Sequence, residues 1–167
     1  KSQGHYKHAI EVFYKALELD NTSSELLLEI ADLYFLMGNT ERALNYIEQI
    51  LEKDPAHIPS LKILKRIFES KEAFQEAEQT AKNIYCISQE NGDLVEIFKL
   101  LNLQGKFDEI FEYNIEKPSS EIYLEQAKAR FFQKDYNAAE QILKESLSTN
   151  LTNQDNILLL CKTLFAN

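Results

Sequence analysis

Residues 24–55 have the sequence SELLLEIADLYFLMGNTERALNYIEQILEKDP, in which two amphipathic helices flank Gly38-Asn39. Apolar and small residues recur at the spacing i, i+3, i+4 and i+7 in the first helix and at i, i+4, i+7 and i+8 in the second, which places them on one stripe of each helix. The stripes contain Leu27, Ile30, Ala31 and Tyr34 in the first helix, and Ala43, Ile47, Ile50 and Leu51 in the second. A pair of such helices cannot bury both stripes alone. Residues 24–55 therefore predict a stacked array of helix pairs.

The same residue types recur at an interval of 34 residues. Gly4, Ala9, Leu17 and Asp20 are matched one interval later by Gly38, Ala43, Leu51 and Asp54, and Leu27, Ile30 and Tyr34 by Leu61, Leu64 and Phe68. This period and these residues resemble the tetratricopeptide repeat (TPR) family. The resemblance implies an all-α, right-handed superhelical solenoid of antiparallel helix pairs, with about ten helices.

The resemblance extends over nearly the whole chain and implies a single TPR-like array at residues 1–167. The array would contain a partial repeat at 1–21, repeats at about 22–55, 56–90, 91–118 and 119–151, and a final helix at 154–165. Because the chain starts inside a repeat, we expect it to be a fragment of a larger protein. The fourth repeat lacks about five residues of its second helix. Pro118 closes that helix, and a bend is expected there.

Several residues predict where helices begin and end. Thr22 and Glu25 have the spacing of a capping box, in which a hydroxyl and a carboxylate accept bonds from free backbone N–H groups. Asp54 can cap a helix, and Pro55 is tolerated in the first turn of the next one. His57 then follows in a loop, where exposure to solvent is expected.

The chain departs from the family pattern at three informative positions. Glu72 and Lys134 stand where the family has a turn glycine. Lys65 stands where it has a small residue at the helix crossing, so a local splaying of the two helices is expected.

Composition excludes several classes of function. The formal net charge is -9, which makes general nucleic-acid binding unfavourable because the phosphate backbone would be repelled. No apolar run approaches the length of a membrane span. Cys86 and Cys161 lie far apart without a CxxC motif. They are expected to be buried reduced thiols, which favours a cytoplasmic location.

The sequence predicts neither catalysis nor a cofactor. His5 and His8 have the spacing of two metal ligands on a helix, but no third ligand is evident, so no metal site is predicted. Paired carboxylates such as Glu76 and Glu78 are typical of a solvated helix face. The chain has no GxSxG, HExxH or phosphate-binding glycine loop. We therefore expect a protein that is not an enzyme.

The resemblance implies that the concave face, lined by the first helices, binds an extended peptide or a helix of another protein. The register places these residues there: Leu28, Asp32, Phe35, Lys62, Arg66, Val95, Lys99, Asn102, Leu124, Lys128 and Phe131. Cations gathered between apolar side chains predict a partner segment that carries acidic and apolar residues. A mixed, solvated face without a ligand is the alternative. Leu28 and Asp32 replace the lysine and asparagine with which some TPR proteins hold a chaperone tail, so that role is not expected.

Two other functions remain open, a structural spacer within a longer solenoid and a regulatory domain of a larger enzyme. The final helix bears on the first of these. Ile157, Leu160, Cys161 and Leu164 form one stripe, which Leu158, Leu159 and Phe165 widen. A terminal helix of a repeat array needs a polar outer face. We therefore expect this helix to pack against something outside the chain or to mediate self-association.

Overall fold

The computed structural model describes residues 2–19, 23–149 and 153–166. These residues form nine α-helices and one 3₁₀ helix, and they contain no strand. The helices are α1 (Ser2–Leu17), α2 (Ser24–Leu36), α3 (Thr40–Lys53), α4 (Ile58–Ser70), α5 (Phe74–Ser88), α6 (Asn91–Gln104), the 3₁₀ helix (Asp108–Glu112), α7 (Ser120–Phe132), α8 (Tyr136–Thr149) and α9 (Gln154–Ala166). The all-α prediction is confirmed.

The chain divides into two compact units, Lys1–Ile87 and Ser88–Asn167. The first unit contains α1 to α4 and nearly all of α5, and the second contains α6 to α9 with the 3₁₀ helix. That both units belong to one continuous array, with the repeat boundaries given above, stays a prediction.

The core of the first unit forms where the 34-residue pattern predicts it. Leu27, Ile30, Ala31 and Tyr34 of α2 are buried, and so are Ala43, Ile47 and Ile50 of α3. Ile10 of α1 and Ile67 of α4 join the same apolar cluster. Since α2 packs against α1, α3 and α4, its stripe is covered by neighbours from more than one helix pair.

The helix ends in this unit differ from the predicted ones. Ser23 caps α2 by accepting a hydrogen bond from the Leu26 N–H, while Thr22 lies outside the described residues. Asp54 ends α3, and its Oδ1 accepts from the Ala56 N–H at 3.0 Å. This bond closes a turn that keeps Pro55 out of α4, so the prediction that Pro55 occupies a first helical turn is wrong.

His57 has a role that the sequence did not reveal. It is the N-cap of α4, and its Nδ1 accepts a hydrogen bond from the Ser60 N–H at 3.3 Å. Its ring is half-buried rather than exposed, and Ser60 beneath it is fully buried. The prediction of a solvent-exposed loop histidine is therefore wrong, because an imidazole can replace the usual hydroxyl or carboxylate cap.

The turn positions of the repeats share one backbone conformation. Gly38 and Gly105 have φ values of 78° and 73°, in the left-handed region that glycine adopts without a Cβ penalty. Glu72 and Lys134, which replace glycine in the other turns, have φ values of 57° and 64°. The chain therefore keeps the turn geometry even where the glycine has been lost.

Lys65 is accommodated at the helix crossing by an ion pair. Its side chain is buried, and its Nζ lies 3.0 Å from Oε1 of Glu69, one turn later on α4. Ile63 and Ile67 flank it in the apolar cluster, whereas Leu64 is only half-buried. Leu61 is buried as the repeat period predicts, so the buried surface of α4 is wider than the predicted stripe and also includes Ile63 and Ile67.

The fourth repeat is reduced further than the sequence suggests. No α-helix lies between α6 and α7, where the five-residue 3₁₀ helix Asp108–Glu112 takes the place of the expected second helix. Ile110 is fully buried there, as is Phe98 of α6. The Phe98 ring also meets the Tyr113 ring edge to face, with the centroids 5.3 Å apart. Large side chains at positions that the family fills with small ones leave no room for a close helix crossing.

The final helix, α9, packs against α7 and α8 through a side that contains polar residues. Asn156 and Thr163 are fully buried, and the Asn156 side chain donates to the Ser120 carbonyl at 3.3 Å. The apolar side chains Ile157, Leu158, Leu164 and Phe165 are exposed instead. The expectation of an apolar outer face on this helix therefore agrees with the structure.

The side chains of both cysteines are exposed. The prediction that Cys86 and Cys161 are buried is wrong, because each lies on a side of its helix that other residues do not cover. In the described part of the chain, no helix has both the length and the apolar character that crossing a membrane requires.

Candidate functional site

The residues predicted to bind a partner lie on α2 and α4 in the first unit, and on α6 and α7 in the second. Most members are exposed or half-buried, but Val95 is 7% exposed and belongs to the core of its unit. Val95 therefore offers little surface to a partner.

In the first unit, Arg66 connects three of the predicted residues. Its Nη1 donates to Oδ1 of Asp32 at 3.0 Å, and its guanidinium carbon lies 4.8 Å from the centre of the Phe35 ring. Leu28 and Phe35 also pack against the apolar cluster below. The side chains of Arg66 and Asp32 remain 46% and 37% exposed, so this face presents a charge pair on an aromatic ring.

In the second unit, a buried carboxylate organises the face. Glu125 is 3% exposed, and its Oε1 lies 2.7 Å from the Nζ of Lys128. The side-chain amide of Asn102 donates to both Oε2 and the backbone carbonyl of Glu125, each at 2.9 Å. The other amide atom of Asn102, Oδ1, is buried, and it accepts no hydrogen bond from the residues that the structure describes. It is an acceptor that an N–H donor could satisfy.

Two neighbouring cavities lie along this face. One has a volume of about 390 Å³ and is lined by Lys99, Asn102, Leu103, Glu125, Lys128 and Phe132. The other has a volume of about 240 Å³ and is lined by Leu124, Lys128, Asp155, Leu158, Leu159 and Lys162. Lys128 borders both cavities. Four predicted residues, Lys99, Asn102, Leu124 and Lys128, are thus brought together along α6 and α7.

The structure also shows apolar side chains that the sequence reasoning missed. Leu103 and Phe132 are 63% and 57% exposed at the edge of the larger cavity, and Leu158 is 56% exposed at the smaller one. Phe131, which the register assigned to the face, instead packs its ring against Phe132 and Tyr136. Two consecutive phenylalanines can exchange these roles, and sequence alone does not decide which one faces the cavity.

Lys62 is exposed on α4, and the other three basic side chains of these faces have acidic partners. Arg66 pairs with Asp32, Lys128 with Glu125, and Lys99 with Glu96 at 2.7 Å on the same helix. Each pair reduces the positive potential that a partner would encounter. Two of these pairs could have been predicted from the sequence. Lys99 and Lys128 each follow a glutamate by three residues, which places the two side chains on the same side of a helix.

The histidines do not form a metal site with neighbouring ligands. His5 and His8 are exposed, and Nδ1 of His8 lies 3.7 Å from a carboxylate oxygen of Glu11. Across the residues that the structure describes, no group of three or more His, Cys, Asp or Glu side chains could hold a metal ion.

Comparisons with known proteins agree with this architecture. Residues 2–67 match the family model of the tetratricopeptide repeat. No curated protein sequence matches the chain. A thermophilic TPR protein from Thermus thermophilus matches with a TM-score of 0.61 and 15% identity, over 98% of this chain and 93% of its own.

Two further solved structures have the same fold. YrrB, a TPR protein with an unusual peptide-binding site, matches with a TM-score of 0.63 and 17% identity, over 92% of this chain and 82% of its own. The C-terminal part of a TPR repeat-containing protein from Cytophaga hutchinsonii reaches a TM-score of 0.77 at 18% identity, over 97% of this chain and 66% of its own. The resemblance to the tetratricopeptide repeat family is therefore confirmed, by the family model over residues 2–67 and by the fold over almost the entire chain.

Proposed function

We propose that the chain is a non-catalytic scaffold that binds a peptide or helix of a partner protein in its predicted concave groove. The observation that carries this proposal is the face of the second unit, where exposed Leu103 and Phe132 border a cavity beside Lys99 and Lys128. Exposed apolar side chains next to a cavity are typical of an interaction surface. YrrB, which shares the fold, has a peptide-binding site, and this also supports a peptide-binding function.

The proposed partner segment has apolar anchors and an adjacent Asp or Glu. Leu103 and Phe132 would contact the anchors and supply most of the affinity, because burial of apolar surface is the dominant favourable term in association. Lys99 and Lys128 would receive the acidic group. Since both lysines already contact carboxylates, the partner's charge would compete with Glu96 and Glu125, and its main effect would be on association rate.

The experiment selects peptides from a random library displayed on phage and measures their affinity by calorimetry. Leu103→Asp combined with Phe132→Asp should weaken the selected peptides at least tenfold. Val12→Asp is the matched control, since Val12 is a 52% exposed apolar side chain on α1, outside these faces. Selected peptides that bind the double variant as tightly as the parent would show that this face is not the binding site.

A structural spacer is the alternative, and one observation favours it. The outer face of α9 exposes Leu158, Leu164 and Phe165, the last of them 94% exposed. In a spacer this face would be covered by another helix, or by a second copy of the chain. Light scattering of the parent and of Leu164→Lys with Phe165→Lys tests the self-association. Oligomers in the parent that disappear in the variant support it, and a monomeric parent at all concentrations argues against it.

A further inference from the structure

Three tyrosine hydroxyls from three helices meet at one point in the first unit. The Tyr14 hydroxyl of α1 lies 3.0 Å from the Tyr34 hydroxyl of α2 and 2.6 Å from the Tyr46 hydroxyl of α3. The rings of Tyr34 and Tyr46 stack with their centres 5.8 Å apart. Tyr34 is buried, whereas Tyr14 is 38% exposed. The cluster therefore extends from the core to the surface, and none of its members belongs to the faces discussed above.

Arg42 completes the cluster. Its Nη1 donates to the Tyr34 hydroxyl at 3.2 Å, and its guanidinium carbon lies 5.3 Å from the centre of the Tyr34 ring. Among the residues described, 2–19, 23–149 and 153–166, no carboxylate lies within ion-pair distance of this guanidinium. Arg42 differs in this respect from Arg66, which has Asp32 as its partner.

The cluster contains more hydrogen-bond donors than its internal contacts use. Each phenol carries one O–H hydrogen, and the two contacts among the three hydroxyls use two of the three hydrogens. One O–H remains for a group outside the cluster, together with the N–H groups of Arg42 that Tyr34 does not accept. Burial, followed by the hydrogen bonds to Tyr34 and Tyr46, raises the pKa of Tyr14 above its ordinary value.

These donors border an open cavity. It has a volume of about 390 Å³ and is lined by Tyr14, Arg42, Asn45, Tyr46 and Gln49. A cation without an acidic partner, the hydroxyls of Tyr14 and Tyr46 and two side-chain amides therefore surround the same space. The arrangement offers hydrogen-bond donors and a single positive charge, which is the chemistry that an oxyanion needs.

We infer that this cavity binds a carboxylate group carried by a partner polypeptide. One carboxylate oxygen would accept from the Arg42 guanidinium, and the other from the O–H of Tyr14 or Tyr46. The charge balance favours a carboxylate over a phosphate. One carboxylate neutralises the single cation, whereas a phosphate dianion would leave an extra negative charge on a chain whose net charge is already -9.

The test uses nuclear magnetic resonance of the arginine Nε–H groups, with sodium acetate as the probe at constant ionic strength. The chain has three arginines, so Arg66 and Arg130 serve as internal controls in the same spectrum. Arg66 is paired with Asp32, and Arg130 donates to Gln133 and lies over the Phe111 ring. Acetate should shift the Arg42 signal in a saturable manner and leave the other two signals nearly unchanged.

Variants distinguish a built site from general attraction to a positive charge. Tyr14→Phe combined with Tyr46→Phe removes both hydroxyls that line the cavity and should weaken acetate binding about fivefold. In Arg42→Gln, the acetate-induced shifts of signals around the cavity should disappear. An Arg42 shift no larger than that caused by sodium chloride overturns the inference, as does unchanged affinity in the double tyrosine variant. Tighter binding of inorganic phosphate than of acetate would overturn the assignment to a carboxylate.

A second set of probes identifies the source of the carboxylate. Acetyl-Gly-Gly-Glu-amide carries only a side-chain carboxylate, acetyl-Gly-Gly-Gly carries only a terminal one, and acetyl-Gly-Gly-Gly-amide carries neither. Binding of either charged peptide, with no response to the neutral one, supports the inference and names the source. Equal responses to all three peptides would contradict it, because the carboxylate would then contribute nothing.

Discussion

The Arg66 guanidinium donates a hydrogen bond at 3.0 Å to Oδ1 of Asp32, the residue that precedes it by 34 positions. Asp32 lies on α2 and Arg66 on α4, so the sequence period corresponds to a direct contact between the first helices of successive repeats. Two residues that are one 34-residue period apart in the sequence are thus in direct contact in the structure.

This pair should contribute little to stability. Its side chains are 37% and 46% exposed, and exposed ion pairs typically contribute about 0.2–1 kcal/mol. We expect a double-mutant cycle with Asp32→Ala and Arg66→Ala to give a coupling energy in that range by urea unfolding. A coupling well above it would show that the pair is shielded from water more than its exposure indicates.

Charge reversal on the predicted binding faces should affect binding and leave folding intact. Arg66→Glu with Lys99→Glu changes two exposed side chains, so the helical circular dichroism spectrum should match that of the parent. Affinity for an acidic selected peptide should fall, mostly through slower association at low salt. Lys71→Glu with Lys144→Glu alters the net charge equally outside these faces and is the control. If both double variants lose affinity equally, the effect comes from overall charge and the faces have no special role.

Restoring a turn glycine should stabilise the first unit. Glu72 has φ of 57°, a conformation that costs a residue with a Cβ roughly 1 kcal/mol. We expect Glu72→Gly to raise the free energy of unfolding by an amount of that order. Lys71→Gly is the matched control, since Lys71 has φ of -95° and glycine there should destabilise. Stabilisation by both substitutions would contradict the backbone explanation.

The tyrosine cluster predicts a loss of stability in alkaline solution. Burial and hydrogen bonding raise the pKa of Tyr14 above 10.0, so the folded chain holds this proton more tightly than the unfolded chain does. The resulting stabilisation is fully present below about pH 10 and is lost as the pH rises through the folded pKa. Tyr14→Phe should flatten the decline above about pH 10 in urea unfolding.

Tyr123 also makes the folded chain less stable in alkaline solution, so Tyr14 should account for only part of the pH dependence. Burial, then the hydrogen bond to Glu145, raises its pKa as well. Because Tyr123 lies in the second unit, Tyr14→Phe should reduce the alkaline dependence without abolishing it. A profile that is identical in the parent and Tyr14→Phe would show that the hydroxyl cluster does not hold its protons as the structure indicates.

The sequence was sufficient for the parts of the fold that repeat. The stripe of Leu27, Ile30 and Tyr34 is buried as predicted, because a 34-residue period and a helical period agree there. The turn positions of Glu72 and Lys134 were also identified, although neither residue has a strong preference for positive φ. These two turns were identified from their position in the 34-residue repeat and not from the residue type.

Burial could not be predicted from the sequence pattern where it depends on a contact between particular side chains. At α4, the burial of Lys65 depends on Glu69, and Leu64 loses the central place that the period assigns to it. At α9, Asn156 is buried because hydrogen bonds from its amide satisfy Ser120 and Ser146, which lie on other helices. On the candidate binding face, the role of Glu125 depends on Asn102 and Lys128 together. Such contacts join residues whose proximity no single-chain pattern reveals.

The short 3₁₀ helix at Asp108–Glu112 also has a consequence for how the second unit opens. A full second helix would couple its neighbours through several buried side chains, whereas within this helix only Ile110 is buried. Unfolding in repeat proteins spreads through such nearest-neighbour interfaces. Because α6 and α7 also pack directly against each other, amide protons of the 3₁₀ segment should exchange with solvent before those of either α-helix. The place where the repeat has lost a helix would then be the place where a local opening of the second unit begins.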